Sequence, residues 1–168
     1  MRALKMALAG AGAWKCWLVI VMLLLCEGFA FAQCASLAVI VNPKSSIDSL
    51  SSTQLRRLIL GDVRSWPDQK PVAIVSLDPS SPIEQCVMSK VVRLSDAEYR
   101  RYLMSAEFRG EEPLVIHPAT SDQMAAKMVA GAVTAFAVID ASSLPALAGS
   151  IKILHINGKL PGEAGYPL

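Results

Sequence analysis

Beyond its N-terminal region the chain holds few side chains able to do covalent or metal chemistry. Cys34, Cys86, His117 and His155 are the whole reactive set, and those two histidines are the only ones in the 168 residues. A cysteine nucleophile needs a base in reach and a third group to orient that base. Cys86 and His117 make such a pair on paper, but nothing beside either supplies an orienting group or an oxyanion hole. A metal site needs clustered ligands, and neither H-x-x-x-H nor C-x-x-C occurs. No cofactor is implied, and the chain reads as non-enzymatic. Cys34 and Cys86 could pair in an oxidising compartment, or Cys86 could stay a buried free thiol beside Ile83 and Val87. Arg56-Arg57, and Arg100-Arg101 with Tyr99 and Tyr102, are basic spots that solvated helix faces explain without an anionic partner. Trp66 reads as packing at the base of a loop, or as a contact surface if it is exposed.

The elements that must position these groups follow from apolar runs and capping residues. Leu37–Val41 is a short apolar, partly β-branched run stopped by Asn42-Pro43, which predicts a buried strand. Ser51 to Gln54 offers a helix start, Leu55, Leu58 and Ile59 one apolar face, and Gly61 a stop. Pro71–Leu77 is a second buried strand with a turn at Asp78-Pro79-Ser80. Ser81 caps the next helix, Pro82 suits its first position, and Glu84 completes a capping box. Ser95 with Glu98 repeats the device, so helices are expected over Ile83–Arg93 and Asp96–Met104 with a break at Leu94-Ser95. Leu114–His117 reads as a strand ended by Pro118. Thr120 or Ser121 then caps a helix whose apolar face is Met124, Met128 and Val129, ended by Gly131. Strands are expected over Ala132–Ile139 and Ile151–Ile156, with a helical turn at Ser142–Leu147 and a Gly/Pro-rich tail from Gly158. Strands alternating with helices predict an α/β fold: a mainly parallel or mixed sheet of about five strands flanked by helices on both faces.

The N-terminus reads as an export signal. Arg2, Lys5 and Lys15 precede an uncharged run from Cys16 to Cys26, and Ala30-Phe31-Ala32 gives the small-x-small pattern a signal peptidase accepts. The run is about half the 20 residues a spanning helix wants, so cleavage near Ala32 is expected rather than anchoring. Lipid attachment fits poorly, because Cys26 follows Leu25 and Cys34 follows Gln33. Residues 1–32 are thus a cleavable leader and residues 33–168 one domain, periplasmic or secreted. The leader carries the chain's surplus of positive charge. Of sixteen basic and fourteen acidic side chains, the remainder keeps equal numbers, which argues against nucleic acid as a partner.

The order of segments resembles the substrate-binding proteins of phosphate ABC transporters, of the type 2 periplasmic-binding-protein superfamily. The matching stretches are A-V-I-V-N-P at 38–43, L-S-S-T-Q-L-R-R-L-I-L-G at 50–61 with Trp66 after it, and V-A-I-V-S-L at 72–77 ahead of Ser81. They continue with G-A-V-T-A-F-A-V-I-D at 131–140, I-K-I-L-H-I-N-G-K-L-P at 151–161 and Y-P-L at 166–168. The resemblance implies one of the family's two α/β lobes. It also implies a phosphate-like anion as ligand and ABC transporter components as partners.

The family grips phosphate with an Arg-x-x-x-Ser-Gly-Thr segment at a helix start. Aligned here, its serine falls on Ser81, but its arginine becomes Leu77, its glycine Pro82 and its threonine Ile83. The ligand-binding residues that remain are Ser80, Ser81 and the Ile83 N–H. Pro82 cannot donate, Leu77 carries no charge, and Glu84 competes with any anion. Each lost charged contact costs about 1.5–3 kcal/mol, so anion binding is expected to be weak or altered. The rival reading is a non-catalytic accessory module that has lost small ligands and meets another envelope protein.

Overall fold

The computed structural model describes Cys34 and residues 36–168; the expected leader and its cleavage point lie outside the described residues. Residues Cys34–Leu168 form one compact unit. Its elements in chain order are β1 (Leu37–Val41), β2 (Ser49–Leu50), α1 (Ser52–Leu60), β3 (Ala73–Leu77), α2 (Pro82–Cys86), a π-helical segment (Val87–Val92) and α3 (Asp96–Phe108). They continue with β4 (Val115–Ala119), α4 (Asp122–Gly131), β5 (Ala135–Asp140), a 3₁₀ turn (Ala141–Ser143), α5 (Leu144–Leu147), β6 (Lys152–Ile153) and β7 (His155–Ile156).

Five strands form one mixed sheet in the order β4-β3-β5-β1-β6, and β2 pairs with β7 separately. β3 runs parallel to both β4 and β5. β1 runs antiparallel to β5 and to β6. Alternation along each strand sorts side chains to two faces. Leu37, Val39, Val41, Ile74, Phe136 and Val138 pack under α1, the π segment and α3. Ala38, Ile40, Val75, Leu77, Ala137 and Ile139 pack under α4. The helix side of this layer is small, with Ala125, Ala126 and Val129 of α4 buried against it. Burying a Leu-, Ile- or Phe-sized side chain contributes about 1.5–3 kcal/mol each, and these two layers supply most of what holds the domain.

The helix starts follow their capping residues. Ser51 and Ser95 make complete capping boxes with Gln54 and Glu98, and Ser121 rather than Thr120 caps α4. Gly61 ends α1 in the left-handed region at φ 77°. Trp66 is buried, donates its Nε1–H to the Thr134 carbonyl at 2.9 Å and meets Phe136 edge-on, so it packs the loop base. Asn42, beyond the end of β1, is buried and donates to the Val129 and Ala130 carbonyls at the end of α4.

Several sequence expectations are corrected. The helix expected over Ile83–Arg93 is one turn of α-helix that widens into the π segment, and Arg93 ends it with φ 58°. The capping box at Ser81 is only half made. Its hydroxyl accepts the Glu84 N–H, but the Glu84 side chain does not return to the Ser81 backbone. Helix α3 continues to Phe108, four residues past the expected end. β4 includes Pro118, as an edge strand can. Met124 is exposed and Met128 is partly buried, because helix α4 turns its alanines to the sheet instead. The expected last strand is two short ones, β6 and β7, broken where Leu154 donates to the Val39 carbonyl.

Cys34 and Cys86 are joined by a disulfide with Cα atoms 5.5 Å apart. It ties the start of the described chain to the end of α2. Among the described residues no helix is long and apolar enough to cross a membrane, and no cluster of His, Cys, Asp or Glu could hold a metal.

Candidate functional site

The parallel run of β4, β3 and β5 brings three strand ends to one edge of the sheet. Leu77 pairs with Ala119, and Val75 with Ala137, so β3, β4 and β5 all finish on the same side. Three loops leave from there: Asp78 to Ser81, Thr120 to Asp122, and Asp140 to Ser143. In open α/β sheets this edge is where ligands bind, because strand ends and helix N-termini converge on it.

The loops are rich in hydroxyl groups, yet their donors are turned inward. Asp78 accepts both the Ser80 N–H, at 2.8 Å, and the Ser80 hydroxyl. Those two bonds hold its carboxyl below the usual range, the hydroxyl contributing more. Ser81 donates its N–H to the Asp78 carbonyl at 2.8 Å, while its hydroxyl accepts from Glu84. Asp140 accepts the Ser142 N–H at 2.8 Å, and Asp122 the Ser143 hydroxyl at 2.6 Å. Asp78 and Asp140 thus satisfy donors of their own loops, and Asp122 takes the Ser143 hydroxyl of the neighbouring one. Three aspartates and no Lys or Arg stand in these loops. An incoming oxyanion meets occupied donors and negative charge.

The structure places Ser80, Ser81 and Ile83 together at the start of α2, Ser80 exposed and the other two half-buried. His117 lies exposed on the edge strand β4, and His155 half-buried on β7. Cys86 is consumed in the disulfide, which removes the nucleophile from the paper pair with His117.

The sequence missed where Glu84 points. Its carboxyl lies against Ser76 beside a groove of about 410 Å³, whose lining includes Pro79, Met88, Leu94, Tyr99 and Ile116. Burial raises the Glu84 pKa, opposed by hydrogen bonds from Ser76 and the Leu77 N–H and assisted by the Asp96 charge. Burial, with Glu84 nearby, also pushes the Tyr99 hydroxyl to about 12, and that hydroxyl donates to the Ile59 carbonyl at 2.8 Å. Helix spacing alone allowed Glu84 to fold back on Ser81; the apolar neighbours that draw it inward are distant in sequence.

A mixed sheet of this order, covered by helices on both faces, is the architecture of one lobe of a periplasmic solute-binding protein. Solved structures with the same fold include an ABC-type phosphate transport receptor from Vibrio cholerae (TM-score 0.59, 18% identity, 76% of this chain and 48% of that one) and PstS from Borrelia burgdorferi (TM-score 0.60, 12% identity, 76% and 49%). A phosphate-binding protein from Stenotrophomonas maltophilia aligns at TM-score 0.57 and 15% identity over 78% of this chain and 41% of that one. The chain therefore shares the fold and spans about half the length of these proteins. No family model matches the sequence, and no curated protein matches it.

Proposed function

We propose that this chain is an exported, non-catalytic domain on the plan of one solute-binding-protein lobe, with weak or altered binding of small anions that no longer draws on Ser80 and Ser81. The fold it shares with phosphate-binding proteins supports the solute-binding ancestry. The observation that carries the change is the Asp78 carboxylate, which takes the Ser80 N–H and hydroxyl an anion would need. In this reading residues 1–32 are removed on export near Ala32, and residues 33–168 act outside the cytoplasm beside ABC transporter components. Calorimetric titration with phosphate and sulfate tests it. Ser80→Ala and Ser81→Ala should leave any measured anion isotherm unchanged, and micromolar phosphate binding lost in either variant would overturn it.

A second reading is an envelope accessory module that meets a protein partner. Phe108, Met104, Val115 and Ile116 favour it, being large apolar side chains exposed on α3 and on the edge strand β4. Phe108 is 89% exposed, which a purely solvated surface gives no reason for. Phe108→Ser should then reduce association with a purified envelope partner while leaving anion titrations unchanged; equal association would remove this reading.

A further inference from the structure

A second concave region has the opposite charge character. Where the first turn of α1, the end of the π segment and the last residues of the chain meet, a pocket of about 440 Å³ is lined by Ser52, Thr53, Arg56, Lys90, Arg93 and Leu168, among others. Three of its lining side chains are cationic and none is a carboxylate. The geometry points to a binding site for a doubly charged oxyanion group, a phosphomonoester being the type, held between Arg56 and Arg93.

The two arginines come from different elements and both line the pocket. Arg56 lies on α1 and is half-buried; its Nε–H donates to the Val92 carbonyl at 2.9 Å. That bond fixes the guanidinium against the end of the π segment and leaves its two terminal nitrogens as the groups on offer. Arg93 follows directly, its N–H closing on the Met88 carbonyl at 2.6 Å. Its φ of 58° lies in the left-handed region where glycine is favoured. The helix stop alone would be better served by glycine, so an arginine there adds a charge to the pocket lining at the expense of backbone ease.

Charge at this end has a purely structural account too, since cations favour helix C-termini. That account covers Lys90, Arg93 and the Arg56 Nε–H bonded to the Val92 carbonyl, but not the two terminal guanidinium nitrogens of Arg56. Among the described residues, ion pairs engage Arg64, Lys70, Arg100, Arg109 and Lys152, and none involves Arg56 or Arg93. The first turn of α1 carries no acidic residue; its Ser52 N–H is taken by Asn157 Oδ1 and its Gln54 N–H by Ser51 Oγ, so Thr53 is what that turn presents to the pocket. Paired guanidinium groups match the oxygens of a phosphate group through two-pronged hydrogen bonds. Val91, Pro167 and Leu168 supply an apolar wall for the group that carries the phosphate. Free organic phosphates and lipid headgroups share this chemistry.

The pocket lies away from the strand ends, because α2 and the π segment run from Ser81 to Arg93 between them. The test uses the purified protein in two arms: calorimetric titration with phenyl phosphate, and co-flotation with phosphatidylcholine vesicles with and without phosphatidic acid. Binding is expected in at least one arm, weakened about tenfold by loss of one charged contact in Arg93→Gly and in Arg56→Gln. Arg93→Gly suits the left-handed backbone, so the fold is kept and any loss of affinity belongs to the charge. Binding in the soluble arm alone identifies a free organic phosphate, and binding in the vesicle arm alone a lipid headgroup. Binding in neither arm, or equal binding by wild type and both variants, overturns the inference. The strand-end reading fails on a different result, a loss of anion affinity in Ser81→Ala.

Discussion

The strand-end loops and the pocket beside α1 are built from the same kinds of part, helix starts, hydroxyls and turn residues, and they differ in where the charge sits. At the strand ends Asp78 and Asp140 accept donors of their own loops, and Asp122 accepts the Ser143 hydroxyl of the neighbouring loop. In the pocket Arg56, Lys90 and Arg93 line the wall without a carboxylate among them. Under the proposed function, a shape shared with phosphate-binding proteins does not by itself keep the affinity. One carboxylate placed two residues from a serine is enough to occupy the N–H and hydroxyl that an oxyanion would use. Conversely, in the proposed site Arg56 and Arg93, from separate elements, attract an anion away from the ends of β3, β4 and β5.

This contrast can be broken or sharpened by substitution, starting with the largest effect. Cys86→Ala removes a crosslink spanning 52 residues, and loop-closure entropy puts the loss near 4 kcal/mol. Chemical denaturation should show that loss, and a reducing agent should reproduce it in the wild type. The bridge anchors Cys34, whose carbonyl receives the Lys90 ammonium at 3.4 Å, so reduction should disturb the pocket region more than the strand-end loops. Hydrogen exchange read segment by segment would show which.

Ser81→Ala should cost about 1 kcal/mol of stability through the lost N-cap, with anion titrations unaltered. A stability loss accompanied by lost phosphate affinity would erase the distinction between the two regions. Arg93→Gly should act in the reverse sense. Relief of the left-handed backbone should raise the unfolding free energy by about 0.5–1 kcal/mol, while oxyanion affinity at the pocket falls. Thermal melts with and without phenyl phosphate read both effects from one sample.

The smallest effect is a pH slope at Glu84. Its pKa is raised in the folded state from an ordinary value of 4.5, chiefly by burial. The folded protein thus holds this proton more tightly than the unfolded chain does. That contribution is fully present below the unfolded value and is lost as pH rises through the folded one. Glu84→Gln should flatten this stretch of the stability–pH curve and leave the acid limb to groups such as Asp78. Asp78 is shifted the other way, so its contribution is present above the ordinary carboxylate range and fades as pH falls through its lowered value. Denaturation midpoints collected across that range would separate the two carboxylates.

The local elements were legible in the sequence because their causes are local. The apolar run at Leu37–Val41 and the serines at 51, 81, 95 and 121 sit where strands and helix caps form. Sheet direction was not legible in the same way. β1 lies antiparallel to β5, a pairing across almost a hundred residues that no short pattern encodes. The π segment also escaped, since V-M-S-K-V-V carries the same apolar spacing whether it winds as an α- or a π-helix. At the strand ends Ser81 was readable as a cap, but the capture of the Ser80 donors by Asp78 needs the turn geometry. Arg56 and Arg93 gave no joint signal, because only folding brings α1 against the end of the π segment. Taken separately, each was an ordinary exposed cation.

Pro118 gives the sheet a boundary. It sits in β4, the outermost strand on that side, where a tertiary amide nitrogen can offer no proton to a newcomer. A rim carrying Val115 and Ile116 in the open would otherwise invite further strands to stack on from neighbouring molecules. One imino acid near the strand's end keeps the exposed rim from templating its own polymerisation, and leaves it available for contacts made through side chains alone.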